Sequence, residues 1–261
     1  MFKLSASKLR TYIACRKKYD FAYNEELEPI EKAECLTTGG NYHAKVANIL
    51  MNKNYEETND KTDVMAEVFK QYILPQLQKE NIVGVEVHKE MQLDDDVVLH
   101  GYIDALTENG IPIEHKTTSK NVDEFYINRL NWDMQVAIYM ILTRTNKCIY
   151  TVCQKPTIRQ KQNETEEEFK QRCIDWYAQE TYKKIGVFEV VRTDEELKSK
   201  LEELKQIANE IKNQKLYYRN SNECMILDCP YSSICLDYDK NVMPIGFQKK
   251  ENEREEEKEN D

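Results

Sequence analysis

The stretch HGYIDALTENGIPIEHKTT, residues 100–118, carries Asp104, Glu114 and Lys116 close together in sequence. Two carboxylates brought side by side repel unless a cation lies between them, and their hard oxygen donors suit Mg²⁺ or Mn²⁺. A lysine two residues beyond the glutamate would then stand beside the ion, placed to orient or activate a water nucleophile and to offset charge on a phosphorane-like transition state. That is the chemistry of phosphodiester hydrolysis. Taken alone, the same pattern also reads as a sheet edge with ordinary exposed charges.

A second constellation lies near the other end of the chain. Cys224, Cys229 and Cys235 form C-x4-C-x5-C in a segment with few apolar residues to hold it. Thiolates at this spacing can share one soft centre, and Cys15 is the candidate fourth ligand, which gives either a [4Fe-4S] cluster or a structural Zn²⁺ site. In isolation Cys15 reads equally well as a small buried hydrophobe. The run Asp94-Asp95-Asp96 reads as a solvated turn, because no further ligand spacing accompanies it.

These groups need elements to position them. Val97 to Leu106 is strand-like and ends at Thr107-Glu108-Asn109-Gly110, where Asn-Gly is a hairpin signal because both residues tolerate positive φ. A second strand over Ile111 to Thr117 follows. Alternation puts Glu114 and Lys116 on one face and Ile111, Ile113 and His115 on the other, and the hairpin can bring Asp104 beside Glu114. An earlier strand is predicted over Val83 to Leu93, with Glu86 and Glu90 on one face and Glu90 read as lying outside the site.

Several helices frame this hairpin. One capped by Ser5 or Ser7 is predicted to run to about Asn24 and to contain Cys15. Another is predicted from Gly39-Gly40, with His43, Val46, Ala47 and Leu50 on one inward face, where a histidine alone reads as a hydrogen-bonded core residue. Residues 60–80 read as a helix bent or ended near Pro75. Val122 to Arg144 reads as one long amphipathic helix whose core face is Met134, Ala137, Ile138 and Ile141, with Gln135 and Tyr139 one turn apart. Cys148 to Cys153 and Gly186 to Arg192 read as strands. Thr165 with Glu168, and Thr193 with Glu196, read as capping boxes opening helices to Tyr182 and to about Lys212. The basic loop Lys155 to Lys161 reads equally as a phosphate contact or as a plain solvated loop, and Tyr217-Tyr218-Arg219 suits contacts to the core or to single-stranded DNA.

Composition sets the wider limits. A chain of 261 residues can bury one substantial core, and seven glycines and six prolines argue against a linker-rich chain. No apolar run suggests a membrane span, and the opening MFKLSASKLRTY lacks a signal-peptide core, so a cytoplasmic setting is expected. Eight cysteines then point to metal ligands or buried thiols rather than disulfides. The net charge of -10 runs against a DNA enzyme, but residues 249–261 hold seven acidic and four basic residues, a net of -3 that leaves -7 on the rest. Local clustering such as Arg10, Arg16, Lys17 and Lys18 can still create a positive track.

The order G-x-I-D, nine residues, then E-x-K-T resembles the PD-(D/E)xK nuclease superfamily, specifically its RecB-like branch. Four further features carry the resemblance: the opening LSASKLRTYIACRKKYDFAY, Gly39-Gly40-Asn41-Tyr42-His43, Gln135-Val-Ala-Ile-Tyr139, and Cys229-Pro230-Tyr231 to Cys235. The resemblance implies that His43 is a metal ligand or polarises the bound water, that Gln135 lies near the scissile region and Tyr139 near the DNA backbone, and that one N-terminal and three C-terminal cysteines hold [4Fe-4S]. Four residues separate Cys224 from Cys229 where the branch commonly has two, which leaves the role of Cys224 open. Relatives of this kind include CRISPR-adaptation nucleases, helicase-coupled nuclease domains and phage recombination nucleases.

The expectation is therefore an α/β nuclease with a mixed central β-sheet flanked by helices. Its single domain covers 1–248, with a cysteine lobe from about 1–30 and 215–240 and a disordered charged tail over 249–261. Catalytic roles fall to Asp104, Glu114, Lys116, Gln135 and Tyr139. Metal ligation falls to His43, Asp104, Glu114 and the carbonyl of His115, and cluster binding to Cys15, Cys224, Cys229 and Cys235. The reaction is metal-dependent hydrolysis of DNA, more exonucleolytic than site-specific. Expected partners are DNA and a separate helicase, recombinase or single-strand-binding protein, with no membrane. The rivals are a DNA-binding or scaffold protein of the same fold that does not cleave, and a zinc-stapled RNA-processing nuclease.

Overall fold

The computed structural model describes residues 1–31, 34–58, 60–226 and 229–250. Its strands in chain order are β1 (Phe2–Leu4), β2 (Leu27–Pro29), β3 (Ile82–Asp94), β4 (Val97–Thr107), β5 (Pro112–Thr118), β6 (Lys147–Gln154), β7 (Ile185–Val191) and β8 (Phe247–Lys249). The chain divides into two compact units, Met1–Lys3 with Glu34–Lys205, and Leu4–Ala33 with Gln206–Asp261. Among the described residues no helix is long and apolar enough to cross a membrane.

The first unit is built on a mixed sheet flanked by helices, as the sequence predicts, with strand order β1-β4-β5-β6-β7 and β3 also paired to β4. The hairpin is present: Ala105 pairs with Ile113 and Leu106 with Pro112, and Gly110 takes φ +75° at the turn. β5 then runs parallel to β6, with Glu114 beside Tyr150 and Lys116 beside Val152. Parallel neighbours require a crossover, and the helices Glu124–Arg129 and Met134–Thr143 lie in it.

Period-two alternation sorts the core onto two faces. Ala105, Ile113, Ile149 and Cys153 pack with Tyr42, Val46 and Phe69, whereas Cys148, Tyr150 and Val152 pack with Val136 and Met140. The predicted buried thiols of Cys148 and Cys153 are thus buried in different layers.

The helices depart from expectation in informative ways. The helix Glu34–Leu50 begins before Gly39-Gly40, which lie inside it. Burial of Tyr42, Val46 and Ile49 on its inward face outweighs a glycine penalty of about 1 kcal/mol each. The predicted 60–80 helix is Lys61–Val68, a wide π turn over Phe69–Ile73, and Leu74–Leu77 with Pro75 in its first turn. A proline ring crowds the carbonyl four residues back, and the widened turn gives it room.

The predicted 122–144 helix is broken, because the Asp133 carboxylate accepts from the amides of Gln135 at 2.8 Å and Val136 at 3.3 Å and so caps a new helix. The restart changes the buried set: Val136, Ala137, Ile138, Tyr139, Met140 and Leu142 are buried, while Met134 and Ile141 are only half-buried. Both predicted capping boxes form, with Thr165 and Glu168 at Glu166–Ala178 and Thr193 and Glu196 at Asp194–Asn213. The first of these helices stops short of Tyr182, with Glu180 in the left-handed region at φ 50°.

In the second unit Ser5 caps the helix Ala6–Ala14, but Cys15 is extended, with φ -158° and ψ 119°, and the helix does not continue unbroken to Asn24. The backbone groups freed by the break find partners in the 218–220 segment. The Asn220 side chain donates to the Ala14 carbonyl at 2.8 Å, and the Lys17 amide donates to the Tyr218 carbonyl at 3.0 Å. Tyr217 stacks on Tyr19 with ring centres 6.4 Å apart. β2 and β8 pair antiparallel beside a small core of Phe21, Leu27, Tyr231, Ile234 and Phe247. Lys249 lies opposite Leu27 in that ladder, so residue 249 belongs to a strand and not to a disordered tail; residues 251–261, the rest of the expected tail, lie outside the described residues.

Candidate active site

Asp104, Glu114 and Lys116 come together where β4 and β5 part. Beyond the Ala105–Ile113 pair, the Asp104 carboxylate itself takes the His115 amide at 2.7 Å, closing the gap between the two strands. Its other oxygen lies 3.5 Å from His43 Nδ1, on the helix Glu34–Leu50. Burial pushes Asp104 up, but the hydrogen bond and charge of His43, aided by His115, outweigh burial and hold it below the ordinary aspartate range. For His43 the same contact overcomes the lowering effect of burial and raises the imidazole.

Glu114 is fully buried, and one of its carboxylate oxygens, Oε2, has no hydrogen-bond partner. Burial first, and the charge of Asp104 second, push it up to about 8 against the opposing pull of Lys116 and His43. A buried glutamate with an unpartnered oxygen, under the influence of a second carboxylate, is unstable as an anion unless a cation joins it. Lys116 is that cation in part: its ammonium contacts Glu114 Oε1 and donates to Gln135 Oε1 at 2.9 Å. Burial lowers the Lys116 pKa, yet Glu114 overcompensates and raises it.

Gln135 and Tyr139 do stand on one side of the helix Met134–Thr143. The Gln135 amide donates to the Tyr139 hydroxyl at 2.9 Å, and that hydroxyl donates to the Tyr102 carbonyl of β4. Tyr139 is therefore only 4 % exposed, and its hydroxyl is taken up internally. Its ring lies against Gly101, where a Cβ would come within 2.9 Å, so a side chain there would displace the ring. The His115 side chain points to the opposite face: Nδ1 lies 2.6 Å from Thr151 Oγ1 and the ring meets Phe69 edge-on. Burial pushes this imidazole down to about 4.

Two contributors escaped the sequence reading. Asp133 sets the start of the helix that carries Gln135, and its position two residues before Gln135 was a legible capping signal. Lys45 and Asp63 form a buried ion pair at 2.5 Å, with Lys45 also donating to the Glu56 carbonyl at 2.8 Å. Nothing in their spacing announces it. It pins the segment after the histidine-bearing helix.

Within the second unit, Cys15, Cys224 and Cys229 line one small pocket with Ala14, Lys18 and Glu223. Burial, and then the neighbouring Cys15 and Cys224, raise the Cys229 thiol. Cys235 does not line this pocket; its carbonyl accepts from Arg219 Nη2 at 2.6 Å. Among the described residues no three His, Cys, Asp or Glu side chains stand in the mutual arrangement of a ready metal site.

Glu90 pairs with His100 along β3 and β4, away from this centre. Asp95 and Asp96 form the predicted turn.

The sequence model of the PD-(D/E)XK nuclease superfamily matches residues 53–236, a span that includes Asp104, Glu114, Lys116, Gln135 and Tyr139 but not Cys15 or His43. Among solved structures, a putative exonuclease from Eubacterium rectale is 13 % identical, with 87 % of this chain and 86 % of that chain covered and a TM-score of 0.57, and shares the fold. SSO0001 is 18 % identical over 90 % of this chain and 87 % of its own, with a TM-score of 0.47. A phage-related exonuclease from Haemophilus somnus 129PT is 17 % identical over 80 % of this chain and 96 % of its own, with a TM-score of 0.39. No curated protein matches the chain significantly.

Proposed function

The chain belongs to the PD-(D/E)XK nuclease superfamily, and from that premise we propose that it is a divalent-metal-dependent deoxyribonuclease, an exonuclease of the RecB-like branch. The observation that carries this reading is the unpartnered, fully buried Oε2 of Glu114 in a centre shared with Asp104. The donor set fits a hard dication, since oxygen ligands predominate and one imidazole stands beside them. Asp104, Glu114, His43 and the His115 carbonyl would hold Mg²⁺ or Mn²⁺. When bound, that ion supplies Lewis-acid polarisation of the phosphate and of the nucleophile.

The side chains divide the remaining work. Lys116 offers its ammonium to orient the attacking water and to offset charge on the phosphoryl group. Gln135 holds Lys116 in place through its carbonyl oxygen, and Tyr139 anchors Gln135 and the whole helix to β4; both act as positioning residues. The basic loop Lys155–Lys161 offers phosphate contacts. The expected partners are DNA and a separate motor, recombinase or single-strand-binding chain.

For the second unit the proposal is a structural [4Fe-4S] cluster on Cys15, Cys224, Cys229 and Cys235. That Cys15, Cys224 and Cys229 line one small pocket supports it, and thiolates suit a soft centre. Cys235 must move toward the others, or give way to another ligand, for the set to close.

The test is cleavage of end-labelled linear and circular DNA, single- and double-stranded, by chelator-treated protein resupplied with Mg²⁺ or Mn²⁺. Lys116→Ala is assayed in parallel. Loss of linear but not circular DNA, dependent on the added ion and absent in the variant, is the expected result. No cleavage of any DNA under these conditions overturns the reading. Iron, sulfide and zinc analysis of anaerobically reconstituted protein separates a cluster from Zn²⁺.

A further inference from the structure

Between β5 and the helix bearing Gln135 the chain presents an outward stripe that the site described above does not use. Phe125 is 71 % exposed, Trp132 is 87 % exposed, and Arg129 between them is exposed as well. They are spaced four and three residues apart along the helix Glu124–Arg129 and the tight turn Leu130–Trp132, and so share one side of this segment.

The opposite side is fastened down. Val122 and Leu130 are buried at 3 % and 5 % exposure, Tyr126 meets the Tyr150 hydroxyl at 3.2 Å, and Arg192 donates to the Leu130 carbonyl at 3.0 Å. The Asp123 carboxylate accepts from the Tyr126 amide at 2.9 Å and caps the first turn. The exposed rings are thus carried on a rigid support rather than on a loose loop.

We infer that Phe125, Arg129 and Trp132 form a stacking strip for single-stranded DNA leading into the Asp104–Glu114–Lys116 centre. The inference rests on the nuclease reading and names its substrate as an unpaired strand. Three arguments carry it. Aromatic rings interleaved with a guanidinium are the means by which proteins hold single strands without sequence preference: the rings take the base faces and the cation takes the phosphates. In a duplex those faces are covered by neighbouring bases, so an exposed ring gains a partner only from an unpaired base. Finally, the strip ends beside the chemistry. Trp132 precedes Asp133, which caps the amide of Gln135, whose side chain accepts from Lys116 at 2.9 Å. Three residues of chain span at most about 10 Å, the length of a few nucleotides stacked at about 3.4 Å each.

The test uses the full chain. Its two tryptophans are Trp132 and Trp176, so Trp176→Phe leaves Trp132 as the sole indole reporter; Trp176 is half-buried, meets Tyr177 edge-on and has no part in the site. In a Lys116→Ala background, a short mixed-sequence single-stranded oligonucleotide is expected to quench Trp132 emission saturably, with its blunt duplex much less effective. Phe125→Ala and Arg129→Ala are each expected to weaken the quenching affinity about tenfold. With Lys116 restored, Trp132→Ala is expected to raise KM on single-stranded DNA about tenfold with kcat nearly unchanged, and Trp132→Phe to restore KM.

Quenching by single strands in a protein that cleaves no DNA would keep the strip and discard the nuclease reading. DNA cleavage with unmoved Trp132 emission and an unchanged KM in Trp132→Ala would discard the strip and keep the nuclease reading. Equal or stronger quenching by the blunt duplex also discards it.

Discussion

The carboxylate centre and the cysteine pocket are held by opposite means. Asp104 and Glu114 sit on neighbouring strands, held by their backbone ladders, the His115 amide and their buried flanks. Cys15 lies at a helix break, Cys224 on the short helix Ser221–Ile226 and Cys229 beyond it, none of them in a strand ladder. The sheet and Lys116 together therefore hold the two carboxylates in place, whereas, on the reading proposed above, the thiols would take their geometry from what they bind. On that reading the carboxylate centre would act from a fixed frame, and the stability of the cysteine region would depend on its ligand.

Lys116→Ala probes the rigid side most severely. It should lower cleavage about 10³-fold, roughly 4 kcal/mol of transition-state stabilisation, with the metal content of the cysteine region unchanged. Steady-state kinetics and metal analysis on the same preparation check both halves. A loss of iron or zinc in this variant would break the proposed independence of the two regions.

Lys45→Ala comes next. It strands the buried Asp63 carboxylate, which is only 6 % exposed, and should cost about 3 kcal/mol, read by urea unfolding. If the variant is as stable as the parent, burial in the sheet unit is looser than the contrast requires. Double replacement of Lys45 and Asp63 by methionine and leucine should recover much of the loss, because it removes both charges together.

Cys229→Ser tests the ligand-dependent side. It should abolish stoichiometric metal and destabilise the protein by about 2 kcal/mol, while chelator-treated parent and variant should unfold alike. A variant that keeps its metal would remove Cys229 from the ligand set.

Asp133→Ala is the mildest case. Loss of the cap should cost about 1 kcal/mol of stability, and by loosening Gln135 it should reduce kcat more than it raises KM. Asp133→Asn should restore most of both, since an amide oxygen can also cap. Unaltered kinetics in Asp133→Ala would show that Lys116 needs no help from this helix.

Much of the carboxylate centre was legible because it depends on short-range geometry. Period-two alternation put Glu114 and Lys116 on one face, and Asn109-Gly110 announced the hairpin that brings Asp104 near. The two Thr-x-x-Glu boxes predicted their helix starts correctly for the same reason: a cap is satisfied within one turn. The helix breaks at Cys15 and Asp133 were not foreseen from periodicity. Apolar spacing alone favours continuation, and the groups that make the break tolerable at Cys15 lie some two hundred positions away, in Tyr218 and Asn220.

The sequence by itself determined which side chains share a strand face, where the turn falls, and that soft and hard donor sets lie in separate stretches. Only the tertiary structure decided that Asp104 bridges to the His115 amide, that His43 reaches Asp104 from the helix Glu34–Leu50, that Tyr139 is turned inward to Tyr102, and that three cysteines meet while Cys235 stands apart. The reason is range. Alternation and capping follow from sterics and hydrogen bonds between close neighbours, whereas the meeting of distant elements is fixed by burial of whole faces, to which each residue contributes little and no single spacing is a signal.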